Sequence, residues 1–555
     1  MRRIRTLFSA LLLMVAGASP VFAQVDNPIA PIATSEGLVA GNILPSGIKA
    51  WFGVPFAKPP VNDLRWRPPQ PIHWNGVWNA DRKMPECIQV LRPHNINHYF
   101  GEEATGEDCL YLNVWAPGTA HEGSNLPVIV FIYGGGGTIG SSGIALYGGE
   151  DVAKTGKAVF VNLNYRVGIL GFMAHPELTK EQGGHSGDYA YLDQNAALKW
   201  VHDNIAKFGG DPSKIVIMGQ SAGAQSVTAQ LFSPLSKGLF RGAVMSSGCS
   251  WMGAGPLGGP MPTLADGEKI GLEIQRRLGA ASLEEMREVP ADRILAVQSE
   301  RQVGVNVEGV RTGAIIDGYF TPNTRLEMLQ SHAENDVPII ASFNHEDLDA
   351  GSPLVTAKTV AAYKSVAAAM YGPDASEFLK RFPVTQDSDI RKVGMDAARE
   401  ADLEQSARMC ARLQNQYNKS PAYIDMFARN PSFAPGVKIA DMNPQTAGAY
   451  HTADIPFWFG TMDMFNMFRT TRAWSVADRK MSADMIGSLI AFADTGNPNT
   501  ADVRWPAWSP RDERKIEFGD TIQVVKLDTA RMDWLAAHPA KAIPRASPDQ
   551  PRPRD

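Results

Sequence analysis

The chain has 555 residues, of which 44% are hydrophobic, 20% charged and 9% aromatic, a composition that excludes a disordered chain and supplies a large core. Its 51 glycines follow no three-residue period and it has only 4 cysteines, so collagen-like and disulfide-scaffold proteins are excluded as well. Lys and Arg number 53 against 58 Asp and Glu, a net charge of −5, and no basic excess recruits nucleic acid or an anionic membrane surface.

In chain order, the first predicted element is a targeting segment. Arg2, Arg3 and Arg5 form a basic lead, residues 7–17 an apolar run, and Val21-Phe22-Ala23 a small-residue cleavage pattern. The run is too short to cross a bilayer as a helix. We read residues 1–23 as a signal peptide and the mature chain as periplasmic or secreted. Arg5 and Thr6 stand where the twin-arginine route usually has apolar residues, which favours general secretion.

The apolar run 128–133 predicts a strand buried on both faces, and it breaks into Gly134-Gly135-Gly136-Gly137. Further strands are predicted at 158–163, 214–218, 242–246 and 337–341. Helical spacing of Ala197, Val201, Ile205 and Phe208 predicts a helix over 189–208, stopped by Gly209-Gly210-Asp211-Pro212. Strands alternating with helices predict an α/β fold with a parallel sheet. No internal repeat or long linker divides the chain, so residues 24–538 are read as one domain. Two excursions stand out, a Gly- and Pro-rich stretch at 251–262 and a helical region over 356–418. The segment 539–555 holds five prolines and few apolar residues, and is read as a disordered tail outside the core.

Gly219-Gln220-Ser221-Ala222-Gly223 matches G-x-S-x-G between the predicted strand 214–218 and a helix-compatible segment, 222–231. That is the setting of a nucleophile elbow, where a sharp strand-to-helix turn lifts the serine hydroxyl above the sheet and leaves no room for a Cβ two residues to either side. A serine hydroxyl is a poor nucleophile without a base, and the base needs a third group to fix its tautomer. In the order serine, acid, histidine, His451 sits best, on the polar small-residue loop 448–454, after His332 and His345 beside the acid segment and His538 beside the tail are set aside. Glu346 lies just beyond the strand 337–341, at a carboxyl end, although composition alone does not choose it from many acids. Backbone amides of the Gly134–Gly137 run and of Ala222 could hold a tetrahedral oxyanion. The same glycines form G-x-G-x-x-G at 135–140, but no convincing helix comes after them and no acid ends a second strand at the dinucleotide spacing. His345-Glu346 lacks the second histidine of a zinc helix.

With these residues in place the chain resembles the type-B carboxylesterases, the family that also holds cholinesterases and bacterial para-nitrobenzyl esterases. Residues 208–223 fit the family's serine signature throughout, and Glu107-Asp108-Cys109-Leu110-Tyr111-Leu112-Asn113-Val114-Trp115-Ala116-Pro117 fits its cysteine-containing signature. The likeness runs from about 35 to 508 and includes Asn164-Tyr165-Arg166-Val167-Gly168. It implies an α/β-hydrolase fold, a large mostly parallel central sheet flanked by helices with helical insertions. It also implies Ser221 as nucleophile, His451 as base, Glu346 as the orienting acid, an oxyanion hole from Gly135, Gly136 and Ala222, and a Cys87–Cys109 disulfide. Closing that loop would stabilise the fold by about 3 kcal/mol. Cys249 and Cys410 are left as two buried thiols or a second bridge.

The chain departs from the family in four places. Near the acid the family reads Gly-x-Asn-x-x-Glu-Gly, and this chain reads Ala341-Ser342-Phe343-Asn344-His345-Glu346-Asp347. His451 is followed by Thr452 rather than glycine. Gly137 stands where a bulky aromatic often comes after the oxyanion glycines, which predicts a wider pocket. Leu278-Gly279-Ala280 lacks the cysteine of a second family bridge.

The reading is an exported serine carboxylic-ester hydrolase that acts through an acyl-enzyme on a small-molecule ester, with no cofactor and no metal. Amide, thioester or lactone cleavage on the same machinery is the near alternative, and a non-catalytic adhesion role the distant one. Trp251, Met252, Phe343 and Trp458 are candidate pocket walls, with ordinary core or surface packing the favoured alternative for each.

Overall fold

A computed structural model describes residues 29–97, 104–251, 260–302 and 305–541. The expected signal peptide and most of the expected tail lie outside these residues, as does Met252.

An eleven-stranded sheet runs through the molecule. Its strands are β1 (Asn42–Ile43), β2 (Lys49–Pro55), β3 (Tyr111–Ala116), β4 (Leu126–Ile132), β5 (Val159–Leu163), β6 (Gly210–Gln220), β7 (Gly242–Ser246), β8 (Ile339–Asn344), β9 (Ala422–Phe427), β10 (Arg514–Phe518) and β11 (Ile522–Lys526). Across the sheet they lie in the order β11-β10-β9-β8-β7-β6-β4-β5-β3-β2-β1. From β5 through β10 every neighbouring pair is parallel; the outer strands on both sides pair antiparallel. Val128 to Ile132 of β4 are all buried. Because successive strand residues face opposite ways, such a run requires cover on both faces of the sheet.

The helix predicted over 189–208 forms as α1 (Tyr189–Asn204) and ends in a tighter turn, Ile205–Phe208. Gly209 then takes φ 91°, the left-handed conformation that glycine adopts without strain. Helix α2 (Ala222–Phe232) succeeds β6 and packs against β6 and β7. The α3 helix (Arg325–Ser331) precedes β8. The predicted helical excursion comprises α4 (Val360–Tyr371), α5 (Ile390–Ala401), α6 (Leu403–Tyr417) and a shorter segment, Ala375–Arg381. It carries its own apolar cluster around Tyr363, Tyr371, Phe378 and Phe382, joined by Trp534 from the last helix, Thr529–Ala537.

Buried polar ties fix the loops at the ends of the central strands. After β5, Arg166 is clamped by Asp193 of α1: Nε donates to Oδ2 at 2.8 Å, Nη2 to Oδ1 at 2.7 Å, and the Arg166 amide adds a third bond to Oδ2. Removing one partner of such a pair leaves the other charge buried alone. Asp193→Ala is therefore expected to cost about 3–5 kcal/mol, read as a lower urea midpoint at an unchanged slope.

Cys87 and Cys109 form the expected bridge, their Cα atoms 5.1 Å apart. Cys249 and Cys410, left open by the sequence, are also bridged, across 161 positions. This second bond ties the segment after β7 to α6, and in the chain-entropy view a loop of that length contributes about 5 kcal/mol.

Candidate active site

The elbow is built as the glycine spacing requires. Ser221 comes directly after β6 and opens α2 with φ 59° and ψ −124°, a strained backbone for a residue with a side chain. Its amide donates to the Ser246 carbonyl at 2.8 Å, and its carbonyl accepts from Ala224 and Gln225, so the turn is held from both sides. A Cβ on Gly219 would lie 2.1 Å from the Gly223 carbonyl oxygen, and one on Gly223 2.1 Å from that of Ile132. Neither position can carry a larger residue without moving backbone.

The glycines expected to form the oxyanion hole come close to this turn. A Cβ at Gly134 would lie 2.9 Å from the Ser221 Cβ. Gly135, Gly136 and Gly137 all have positive φ, at 115°, 63° and 77°, so the loop curls in a way that only glycine tolerates over three successive residues. Thr138 and Ile139 donate back to the Gly135 carbonyl, and Gly168 donates to that of Gly137 at 2.7 Å. The far end is pinned by Gln89, whose Oε1 accepts from the Gly140 amide at 2.7 Å while Nε2 donates to the Gly140 carbonyl at 2.8 Å and to that of Cys87 at 3.1 Å. Beyond Gly140 the chain enters a short turn, Ala145–Tyr147, rather than a dinucleotide-binding helix.

His451 lies on the predicted loop, its side chain 20% exposed. The carboxylate that meets its ring belongs to Asp347, at 2.5 Å from Nδ1, and not to the expected Glu346. Glu346 turns the other way. Its Oε2 accepts from the Ala449 amide at 2.8 Å, its Oε1 lies 2.9 Å from His345 Nδ1, and its backbone pairs with Tyr450. It therefore anchors the histidine loop from outside, while the next residue points in. The alternation that sends successive side chains to opposite sides at a strand end separates the two. A signal for Asp347 existed in the sequence: the family pattern sets its acid three positions after an asparagine, and three after Asn344 is 347.

Asp347 is satisfied on both oxygens. Oδ1 also accepts from the Leu348 amide at 2.8 Å; Oδ2 accepts from Ser247 Oγ at 2.6 Å and the Asn344 amide at 3.0 Å. Burial pushes this carboxyl up, but the His451 charge and these hydrogen bonds outweigh it and hold the group below the ordinary aspartate value. Burial likewise pushes His451 down, and Asp347, by charge and hydrogen bond, with Asp454 behind it, raises it net above the ordinary histidine value. Asp454 is itself fully buried, accepts from Ser246 Oγ at 2.6 Å and Asn344 Nδ2 at 3.1 Å, and is pushed up by that burial.

With Asp347 accepting from Nδ1–H, the ring's Nε2 is left as an acceptor. In this structure the Gln220 side-chain amide donates to it at 3.1 Å, and among the described residues no hydrogen bond joins Ser221 Oγ to the ring. Such contacts commonly tighten only around bound substrate. Thr452, where the family has glycine, sits at φ 77°, a left-handed geometry that accounts for the family's preference and that a β-branched residue adopts only under strain. Ser247 and Asp454 carried no sequence motif, and Gln220 only the unspecified second position of G-x-S-x-G; the fold brings all three to the histidine and its acid.

A cavity of about 300 Å³ opens beside the elbow, with Gly136, Gly137 and Ala222 in its wall and Tyr165, Phe172 and Tyr191 as its aromatic surface. At Gly137 a Cβ would meet nothing but Phe172, at 3.4 Å. The candidate aromatic walls are elsewhere: Trp251 packs edge-on against Phe232, Trp458 against Phe518, and Phe343 is buried in β8. All three are apolar enough to serve the core, which took them.

Comparison with known proteins places this arrangement. A model of the carboxylesterase family matches residues 28–534. Fumonisin B1 esterase of Sphingopyxis macrogoltabida is 31% identical over 516 residues, covering 91% of this chain and 89% of that protein. Para-nitrobenzyl esterase of Bacillus subtilis strain 168 is 29% identical over 503 residues, covering 89% and 95%. Among solved structures, a PNB esterase superposes with a TM-score of 0.71 at 26% identity, over 91% of this chain and 98% of that one.

Proposed function

The chain belongs to the carboxylesterase family and is a carboxylic ester hydrolase, and from that premise we propose that it acts through an acyl-enzyme on Ser221, with His451 as base and Asp347 as the group that orients it. The supporting observation is the strained, glycine-flanked Ser221 next in the chain to Gln220, whose amide meets one ring nitrogen of His451 while a buried carboxylate holds the other. Attack of Ser221 Oγ on the ester carbonyl would send the hydroxyl proton to His451 Nε2. The C–O bond to the alcohol then breaks, the alcohol leaves with that proton, and the acyl group stays on Oγ. Water, deprotonated by His451, reverses the sequence and releases the acid. The amides of Gly135, Gly136 and Ala222 would hold the oxyanion in both halves. The two disulfides and the basic, apolar start of the chain support an exported enzyme.

A fluorophosphonate probe labels only an activated serine. One label per chain is expected, located by mass on the peptide holding Ser221, together with a burst of one p-nitrophenol per enzyme from a p-nitrophenyl ester. Absence of label, burst and turnover would point to a binding role instead.

A further inference from the structure

The cavity beside the elbow is lined by basic and not by acidic side chains among the described residues. Two arginines, Arg311 and Arg325, stand in the same wall as Gly136, Gly137 and Ala222. Arg311 is exposed and lies toward solvent. Arg325, the first residue of α3, is 7% exposed, and its Nη1 donates to the Ser250 carbonyl, which fixes the guanidinium in place. Burial pushes the Arg325 guanidinium below its ordinary value, opposed by Tyr191 and by Asp188. The Asp188 carboxyl accepts from the Ile315 amide and Thr321 Oγ1, and burial, reinforced by Asp317, pushes it well above the ordinary aspartate value. The charge of Arg325 acts against that rise, and Asp188 itself does not line the cavity. Thr312, also in the wall, has a buried hydroxyl oxygen with no hydrogen-bond partner among the described residues. Such an atom has a hydrogen bond to offer to whatever occupies the cavity.

A fixed, desolvated guanidinium binds a carboxylate by parallel charged hydrogen bonds, and a second guanidinium at the mouth attracts it there. Resting on the esterase reading above, we propose that the preferred substrates are esters bearing a free carboxylate, received by Arg325 and Arg311 while the scissile carbonyl lies at Ser221. The carboxylate could belong to the acyl part or to the alcohol part, and the cavity chemistry is the same for both.

The test compares kcat/KM for isosteric charged and neutral esters. Methyl hydrogen glutarate against methyl pentanoate reports a carboxylate on the acyl side; 4-acetoxybutyrate against pentyl acetate reports one on the alcohol side. In the full-length protein the charged member of one pair is expected to be preferred about 10- to 100-fold, the range of a hydrogen bond to a charged group. Arg311→Ala, at an exposed site, should cut that ratio several-fold, and Arg325→Met should bring it close to one. A ratio near or below one in both pairs, or a preference that survives both substitutions, would overturn the proposal while neutral-ester turnover left the esterase reading standing. Failure of all four esters and of fluorophosphonate labelling would remove both.

Discussion

Replacing Ser221 by alanine is expected to lower kcat for a p-nitrophenyl ester by about 10⁶-fold, with the thermal unfolding midpoint little changed. The size comes from the way the site is built. The oxyanion loop is fixed by its own backbone and by Gln89, and the His451–Asp347 pair by Ser247, Asn344 and Leu348, so nothing in the variant can move in to replace the lost oxygen. Substrate binding and oxyanion stabilisation persist, and they leave only a small residual rate over water. Stability is spared because the exchange removes one oxygen and keeps the strained backbone. A loss of only tenfold, in protein free of wild-type contamination, would mean that another group attacks the ester.

Asp347→Asn is expected to lower kcat/KM by about 10⁴-fold, and Glu346→Gln by less than tenfold. An asparagine at 347 can offer its amide to Nδ1 and so stabilise the wrong tautomer, with the proton on Nε2 where the base must be free. The pH profile adds a readout that misfolding would not mimic. In the proposed mechanism His451 works as the neutral base, and Asp347 raises its pKa above the ordinary value against the effect of burial, so wild-type activity should rise with pH through a midpoint above that value. Removing the carboxylate removes the main cause of the rise. The acidic limb of Asp347→Asn should therefore move to lower pH, while that of Glu346→Gln stays. If Glu346→Gln instead took the 10⁴-fold loss and the shifted limb, the acid would be Glu346.

The contrast between these neighbours marks where the sequence stopped being informative. The fold was legible because parallel strands are continuous apolar runs and their ends are punctuated by glycine and proline. Gly219, Ser221 and Gly223 were legible because a steric requirement dictates residue type at fixed spacing, and the Cβ contacts at both glycines bear that out. Between Glu346 and Asp347 no such requirement operates. Both are carboxylates at the right strand end; in the structure the direction in which each leaves β8 separates them, and in the sequence only the spacing from Asn344 did. The pocket walls were open for a related reason: Trp251, Phe343 and Trp458 have the chemistry of a pocket and of a core alike, and the favoured alternative, packing, is where they lie. The two arginines belong to segments with no motif at all, brought beside the elbow by the path of the chain.

The Cys249–Cys410 bond also changes what breakage of the chain means for this enzyme. It encloses Asp347 and most of the helical excursion, including the exposed stretch at 385–388. A single cut there by a protease would leave one piece carrying Ser221 and Asp347 and another carrying His451, still joined by a covalent link as well as by the sheet. Damage at that loop would stay hidden under oxidising conditions and become dissociable only when the sulfurs were reduced, so the bond works as insurance against a single nick in the chain.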